Sequence, residues 1–357
     1  MKLLVYGGCH ALIIKRFIDE LGPPGRHEVD LLVNFQVIAS GAPFPYERLR
    51  DYDAVVYSPV ENRGSYNTSG LDAACAEAGV PAIRFPWLEW HGYAPTADKD
   101  GFWGHRGWFF PGLVALARDF DEPGAFIAHA RRSFPSGEAV RDAVERSTAR
   151  LVEGERRVGC EIRVSDFILD GFRDRRMFLI PDHPSLHLYR HLLEQLEDLL
   201  GTRLVASWPR DLPEPQPEAR TPILPRVAAV TGLSFRDPSW RCETQPLAAM
   251  DLEAFLALHF HRGRRDGGGT ASEGGQAGLV VATAVRATWI GSLARGPCDP
   301  GPVAVPVFTQ LLLARAGPAP PQGHFRAAHV ADLSADAASG RLGGVHLFRT
   351  EDWQCRS

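Results

Sequence analysis

Residues 1–15 read Met-Lys-Leu-Leu-Val-Tyr-Gly-Gly-Cys-His-Ala-Leu-Ile-Ile-Lys. Leu3, Leu4 and Val5 form a short apolar run of strand character, and Gly7-Gly8 breaks it. Apolar residues return at Leu12, Ile13, Phe17 and Leu21, a helical spacing. The stretch predicts a strand, a tight turn and a helix, with Cys9 and His10 at the helix N-terminus. Backbone N–H groups point outward there, and negative charge is favoured. A thiolate in that position has a lowered pKa and is a better nucleophile. Gly7 and Gly8 let the chain bend sharply and let a ligand approach. On position alone two readings of Cys9 stay open: a reactive thiolate, or a small hydrophobe in a tight turn.

Working outward, strands are expected over 27–36 (HEVDLLVNFQ), 52–57 (YDAVVY) and 80–85 (VPAIRF). The nearly continuous apolar run at Val29, Leu31, Leu32 and Val33 suits a strand buried on both faces of a parallel sheet. A helix capped by Thr68 or Ser69 is expected to run to Gly79. This order predicts an α/β fold, a mainly parallel sheet flanked by helices. Ligands bind such sheets at the carboxyl ends of the strands. Cys9, residues 58–67 and residues 86–95 all follow strands, so they are expected to converge on one edge.

The second half adds helices. Phe102, Trp103, Trp108, Phe109 and Phe110 make an aromatic, Gly-rich loop, read as a lid over the core in preference to a sugar-stacking surface. Residues 113–130 have scattered helical character. Ser136 caps a helix from Gly137 to about Val152, and a second helix is expected over 158–172. Met177–Ile180 is another buried-strand candidate. Pro184 would open a helix to Leu200, with Leu188, Leu192, Leu196 and Leu199 as its stripe and Gly201 as its stop. His187 and His191 stand at a metal-compatible spacing, but no third ligand is nearby, so no metal site is assigned. Residues 207–225 read as a proline-rich connector, 221–233 as a short helical element and 251–261 as a last helix. The expected organisation is an α/β domain over 1–262, a Gly-rich linker over 263–278, and an irregular C-terminal tail over 279–357 with no assigned role.

Composition narrows the class. The 357 residues carry 39 Lys and Arg against 43 Asp and Glu, a net charge of −4 that points to no nucleic-acid partner. No apolar stretch is long enough for a membrane span. The N-terminus lacks the pattern of a signal peptide, so a cytoplasmic location is expected. The six cysteines are far apart with no C-x-x-C pair, which argues against a zinc or disulfide framework.

Thiol chemistry needs a base and donors for a developing oxyanion. His183 is the best base. It follows a buried strand and precedes a helix, which in a parallel sheet would put it on the edge that holds Cys9. Asp182 or a backbone carbonyl could orient its imidazole, and His10 is a second candidate base. Backbone N–H groups near Gly8 could hold an oxyanion or a phosphate. No P-loop or G-x-G-x-x-G is present.

Val5-Tyr-Gly-Gly-Cys-His10 resembles the Gly-Asn-Cys-Gln turn that opens the WcbI-type polysaccharide biosynthesis acetyltransferase family. Val29-Asp-Leu-Leu32, Tyr57-Ser-Pro-Val60, Arg84-Phe-Pro86 with Gly92-Tyr-Ala-Pro95, 163–185 and Thr221-Pro-Ile-Leu-Pro225 follow in the order of that family, over residues 1–262. The resemblance implies an SGNH-hydrolase-like sheet and a cytoplasmic bacterial enzyme of capsule or other surface-polysaccharide assembly. Such an enzyme uses coenzyme A, as acetyl-CoA, to acetylate a sugar hydroxyl, and these roles carry to Cys9 as nucleophile and His183 as base. Gly7, Gly8, Lys15, Arg63 and Arg163 are the candidates for holding the cofactor, with Arg16, Arg156 and Arg157 also available for its phosphates. Gly8 and His10 depart from the pattern, where the family has Asn and Gln. Two rivals stand beside this reading: a cysteine esterase on the same layout, and a binding protein for coenzyme A or a glycan that has lost activity.

Overall fold

Strand β1 (Lys2–Gly7) lies between β2 (Glu28–Val33) and β3 (Ala54–Tyr57), parallel to both, and β4 (Ala82–Arg84) extends the sheet beyond β3. The order is therefore β2-β1-β3-β4, the mainly parallel α/β sheet expected. Leu3–Tyr6 and Ala54–Tyr57 are buried throughout, as befits strands covered on both faces. The computed structural model describes residues 1–41, 44–60, 67–99, 108–241 and 251–267. Among these, no helix is long and apolar enough to cross a membrane.

Helix α1 (Cys9–Leu21) starts one residue after β1 and buries Ala11, Ile13, Ile14, Phe17 and Ile18. Each large side chain among them contributes about 1.5–3 kcal/mol by leaving water. The second strand is shorter than expected. β2 ends at Val33 opposite Gly7, where β1 itself ends, and α2 (Asn34–Ser40) takes the next residues. β3 starts two residues later than expected and ends where expected, while β4 occupies only the middle of its expected span. Helix α3 (Thr68–Ala78) is capped by Asn67, whose side chain accepts from Ser69 N at 3.1 Å, and not by Thr68 or Ser69. The Thr68 hydroxyl is engaged instead by Val60.

The second half wraps helices around the sheet. A two-residue ribbon of β5 (Asp98–Lys99) and β6 (Trp108–Phe109) precedes α4 (Pro111–Leu116), α5 (Pro123–Ser133) and α6 (Gly137–Arg157). Ser136 caps α6 through Ala139 N at 3.1 Å, as expected, but the helix runs past Val152. The helix expected over 158–172 is confined to α7 (Ser165–Gly171). The buried Glu155 carboxylate causes this: it accepts from Val164 N, Ser165 N and Ser165 Oγ, and so fixes where α7 begins.

The strand at 178–180 does not join the parallel sheet. β7 (Phe178–Ile180) pairs antiparallel with β8 (His183–Pro184), with Ile180 opposite His183. Pro184 is consequently in a strand, and α8 (Leu186–Leu200) starts after Ser185. Glu214 Oε2 caps α8 by accepting from Leu186 N at 2.8 Å. Its buried stripe holds Leu188, Leu192, Leu193 and Leu196, whereas Leu199 is exposed.

α9 (Pro225–Thr231) follows the connector, and α10 (Leu252–Gly267) extends into the expected Gly-rich linker. Residues 268–357, with the rest of that linker and the tail, lie outside the described residues, as do Phe102 and Trp103. α10 packs closely on α4. A Cβ on Gly263 would stand 2.3 Å from the Val114 carbonyl oxygen, so only glycine permits this approach. His259, fully buried on α10, donates from Nδ1 to Phe255 O and accepts at Nε2 from Phe110 N.

Burial pushes the His259 imidazole down to about 4. The folded protein therefore refuses a proton that the unfolded chain accepts below about pH 6.5. The His259 contribution is expected to be complete above that pH and to fade as pH drops toward about 4. Thermal melts across this window should show a steeper acid loss in the wild type than in His259→Phe; equal pH dependence would refute the linkage.

Candidate active site

In the β2-β1-β3-β4 order, chain connections leave β1 on opposite sides, which opens a crevice at the carboxyl ends of β1 and β3. Cys9 occupies that point as the first residue of α1, half-buried. A Cβ on Gly8 would lie 3.3 Å from the Trp87 ring and 3.6 Å from Asn34 Oδ1. The side chains of Trp87 and Asn34 thus flank the turn where the family pattern has an asparagine.

His10 is 1% exposed and bonds the carbonyl oxygen of Asp182 through Nε2 at 3.1 Å. A carbonyl only accepts, so Nε2 carries the proton. Burial lowers the His10 pKa and outweighs the opposing pull of Asp182, so the ring is neutral. Its ring lies 4.6 Å from that of Trp87, tilted by 54°. His10 thus acts as a fixed N–H donor, a role that a glutamine amide also fills.

Asp182 and His183 come to the same place on the β7–β8 corner, and not from the parallel sheet. The Asp182 carboxylate accepts from Lys99 Nζ at 2.5 Å and from Trp108 Nε1 at 3.2 Å. Burial would raise its pKa, but the charges of His183 and Lys99 and these bonds hold it below the usual range. His183 is 2% exposed, and its Nε2 lies 3.3 Å from the Gln216 side-chain nitrogen. Asp182 acts on His183 through its charge, while Gln216 makes the hydrogen-bonding contact.

Buried polar atoms gather here. Among the described residues, Ser58 Oγ, Ser185 Oγ, Tyr189 OH and His10 Nδ1 have no hydrogen-bond partner. Ser58 follows β3, with its Cβ 3.6 Å from where a Gly7 Cβ would be. Tyr189 is fully buried, with its ring 5.8 Å from Phe17. Burial raises its pKa well above the usual value, and the Cys9 charge acts in the same direction, so it stays a phenol donor. Such orphan groups are rare in protein interiors, where water, an ion or a ligand ordinarily satisfies them.

A cleft of about 260 Å³ adjoins the turn, lined by Pro59, Trp87, Glu89, His91, Arg150 and Arg157 among others. Trp87 is 45% exposed, and its Nε1 is held by Glu89 Oε2 at 3.1 Å. Of the expected cofactor-holding cations, Lys15 is turned to Val29 O and Asp19, each at 2.7 Å. Arg163 is exposed, its backbone paired with the Gln195 amide, about 13 Å along α8 from the first turn. Arg63 lies outside the described residues. His191 stacks on Phe167 at 4.0 Å, and the described residues contain no group of three metal-ligating side chains. Sequence reasoning missed Tyr189, Lys99 and Gln216, whose positions depend on tertiary folding alone; Trp87 lies in the 86–95 segment expected at this edge but was not singled out.

A model of the family described as "Polysaccharide biosynthesis enzyme WcbI" matches residues 2–204, more than half of the chain. One solved structure is similar in fold: a native WcbI, described as a novel polysaccharide biosynthesis enzyme and as lacking a disulfide bond between coenzyme A and a cysteine. It shares 20% identity at a TM-score of 0.57, over 74% of this chain and 90% of that one. No curated protein matches the chain. The matched residues run from β1 through α8 and include Cys9, His10, Asp182 and His183: the chain belongs to the WcbI family of polysaccharide biosynthesis enzymes.

Proposed function

We propose that this protein moves an acetyl group from coenzyme A to a sugar hydroxyl during polysaccharide assembly, through an acetylated Cys9. The observation that carries this reading is the set of buried, unpartnered donors around Cys9, above all Ser58 Oγ and Tyr189 OH. A thioester carbonyl attacked by a thiol develops negative charge on its oxygen, and such donors, with the amides at the α1 N-terminus, suit that oxygen.

In the first half, His183 takes the Cys9 proton and the thiolate attacks the carbonyl carbon. The tetrahedral oxyanion collapses, the bond to the coenzyme A sulfur breaks, and that sulfur leaves with the proton from His183. In the second half, His183 takes the proton of the sugar hydroxyl, the oxygen attacks acetyl-Cys9, and the Cys9 sulfur leaves and regains a proton. Asp182, held ionised by Lys99, favours the imidazolium that forms in each half. Arg150 and Arg157 of the cleft suit the phosphates of coenzyme A. An acyl-CoA donor would place the reaction in the cytoplasm.

The test is intact-mass analysis after incubation with labelled acetyl-CoA, with and without sugar acceptors. Wild type should gain one acetyl group and pass it to a sugar, and Cys9→Ala should lose transfer by about a thousandfold or more. Acetate release independent of sugar would favour an esterase; coenzyme A binding without transfer, unchanged in Cys9→Ala, would favour a binding protein. For the cleft, calorimetry should show weaker coenzyme A binding in Arg150→Ala and Arg157→Ala, by about tenfold each. Unaltered affinity in both variants would remove the cleft from the donor site.

A further inference from the structure

Three consecutive residues of the proline-rich connector reach into the site. Glu214 Oε2 accepts from Leu186 N at the start of α8. The Pro215 carbonyl accepts from Arg16 Nη1 of α1 at 3.1 Å. Gln216, 5% exposed, places its side-chain amide 3.3 Å from His183 Nε2. Contacts to α8 and α1 thus hold the two residues that immediately precede the group that meets the imidazole. All three residues lie beyond the family-matched segment, which ends at residue 204.

We propose that Gln216 is a positioning residue, whose side-chain amide binds His183 Nε2–H, fixes that tautomer and leaves Nδ1 as the basic atom. The proposal rests on the role of His183 as general base given above. With the NH2 turned toward His183, the buried Gln216 Oε1 has no hydrogen-bond partner among the described residues. A half-turn of the amide presents Oε1 to the ring instead and supplies that partner. The catalytic cycle makes the same demand. Once Nδ1 has taken a proton, both ring nitrogens carry hydrogen, and an NH2 group at Nε2 would face another donor. An oxygen there is satisfied in the neutral and the charged state alike.

The choice of an amide has a chemical consequence. A carboxylate at Nε2 would orient the ring equally well but would raise its pKa, whereas a neutral amide orients it without adding charge. The charged and titratable groups around this cluster include Asp182 with Lys99, His10, Tyr189, Cys9, Glu214 and Arg16.

The full chain, labelled with 15N-histidine and assigned with His183→Ala, reports the tautomer directly by NMR. Wild type should show Nε2–H at His183. Gln216→Leu should lose that preference, lower kcat by about a hundredfold and leave the KM for acetyl-CoA within about twofold. Gln216→Glu should keep Nε2–H, raise the imidazole pKa, and recover part of kcat above that raised value. Circular dichroism confirms that each variant is folded. An Nδ1–H tautomer in the wild type, or an unchanged tautomer in folded Gln216→Leu, overturns the proposal. If wild type shows Nε2–H and folded Gln216→Leu loses it while no transfer occurs in either, Gln216 keeps its place and the acetyltransferase reading fails.

Discussion

The hydrogen bond from His10 to the Asp182 carbonyl joins two points 172 residues apart and brings the Cys9 turn against the Asp182-His183 corner. Both ends are buried, so its loss would leave an N–H and a carbonyl without partners, at about 1–3 kcal/mol each. Asp182 faces two ways. Its carbonyl holds α1, while its carboxylate gathers Lys99 and Trp108 from the β5–β6 ribbon. Three regions of the chain therefore meet at one residue. The burial that makes His10 a poor base is also what makes it a dependable donor.

Low dielectric sets the remaining assignments. It keeps Tyr189 protonated and His10 neutral, and it would neutralise Asp182 were Lys99 and His183 not beside it. One physical effect thus prepares a phenol and an imidazole to donate, while Lys99 and His183 keep the carboxylate charged against it. The difference lies in what each group meets.

Much of this was legible in the chain. The run Leu3–Val5, the Gly7-Gly8 break and the spacing of α1 fix the strand-turn-helix unit because each is a local signal. The parallel α/β character of the sheet followed from strand alternation, and the Ser136 cap from one side chain. Strand β2 was read too long, because its end is set by the end of β1 and not by its own residues. The partner of β7 was misjudged for the same reason: Ile180 and His183 pair across a tight corner, which the apolar run Met177–Ile180 cannot signal. His183 still arrives at the site, by a different route. Tyr189 lies hidden in a leucine-rich helix, where a tyrosine ordinarily reads as core. Gln216 lies in a segment whose prolines suggested a spacer. The cofactor cations were chosen by charge alone, and charge does not tell a cleft-lining arginine from one tied to its own helix.

The contact between Phe110 N and His259 gives α10 a bearing on the site, since Phe110 closely follows Trp108, which holds Asp182. Glu214 and Gln216 enter from the connector between α8 and α9. The family-matched segment ends at residue 204, short of both. A fragment cut there would keep Cys9, His10, Asp182 and His183 and lose the side chains that meet Leu186 N and the His183 ring. The stretch that reveals kinship stops before the stretch that packs against it.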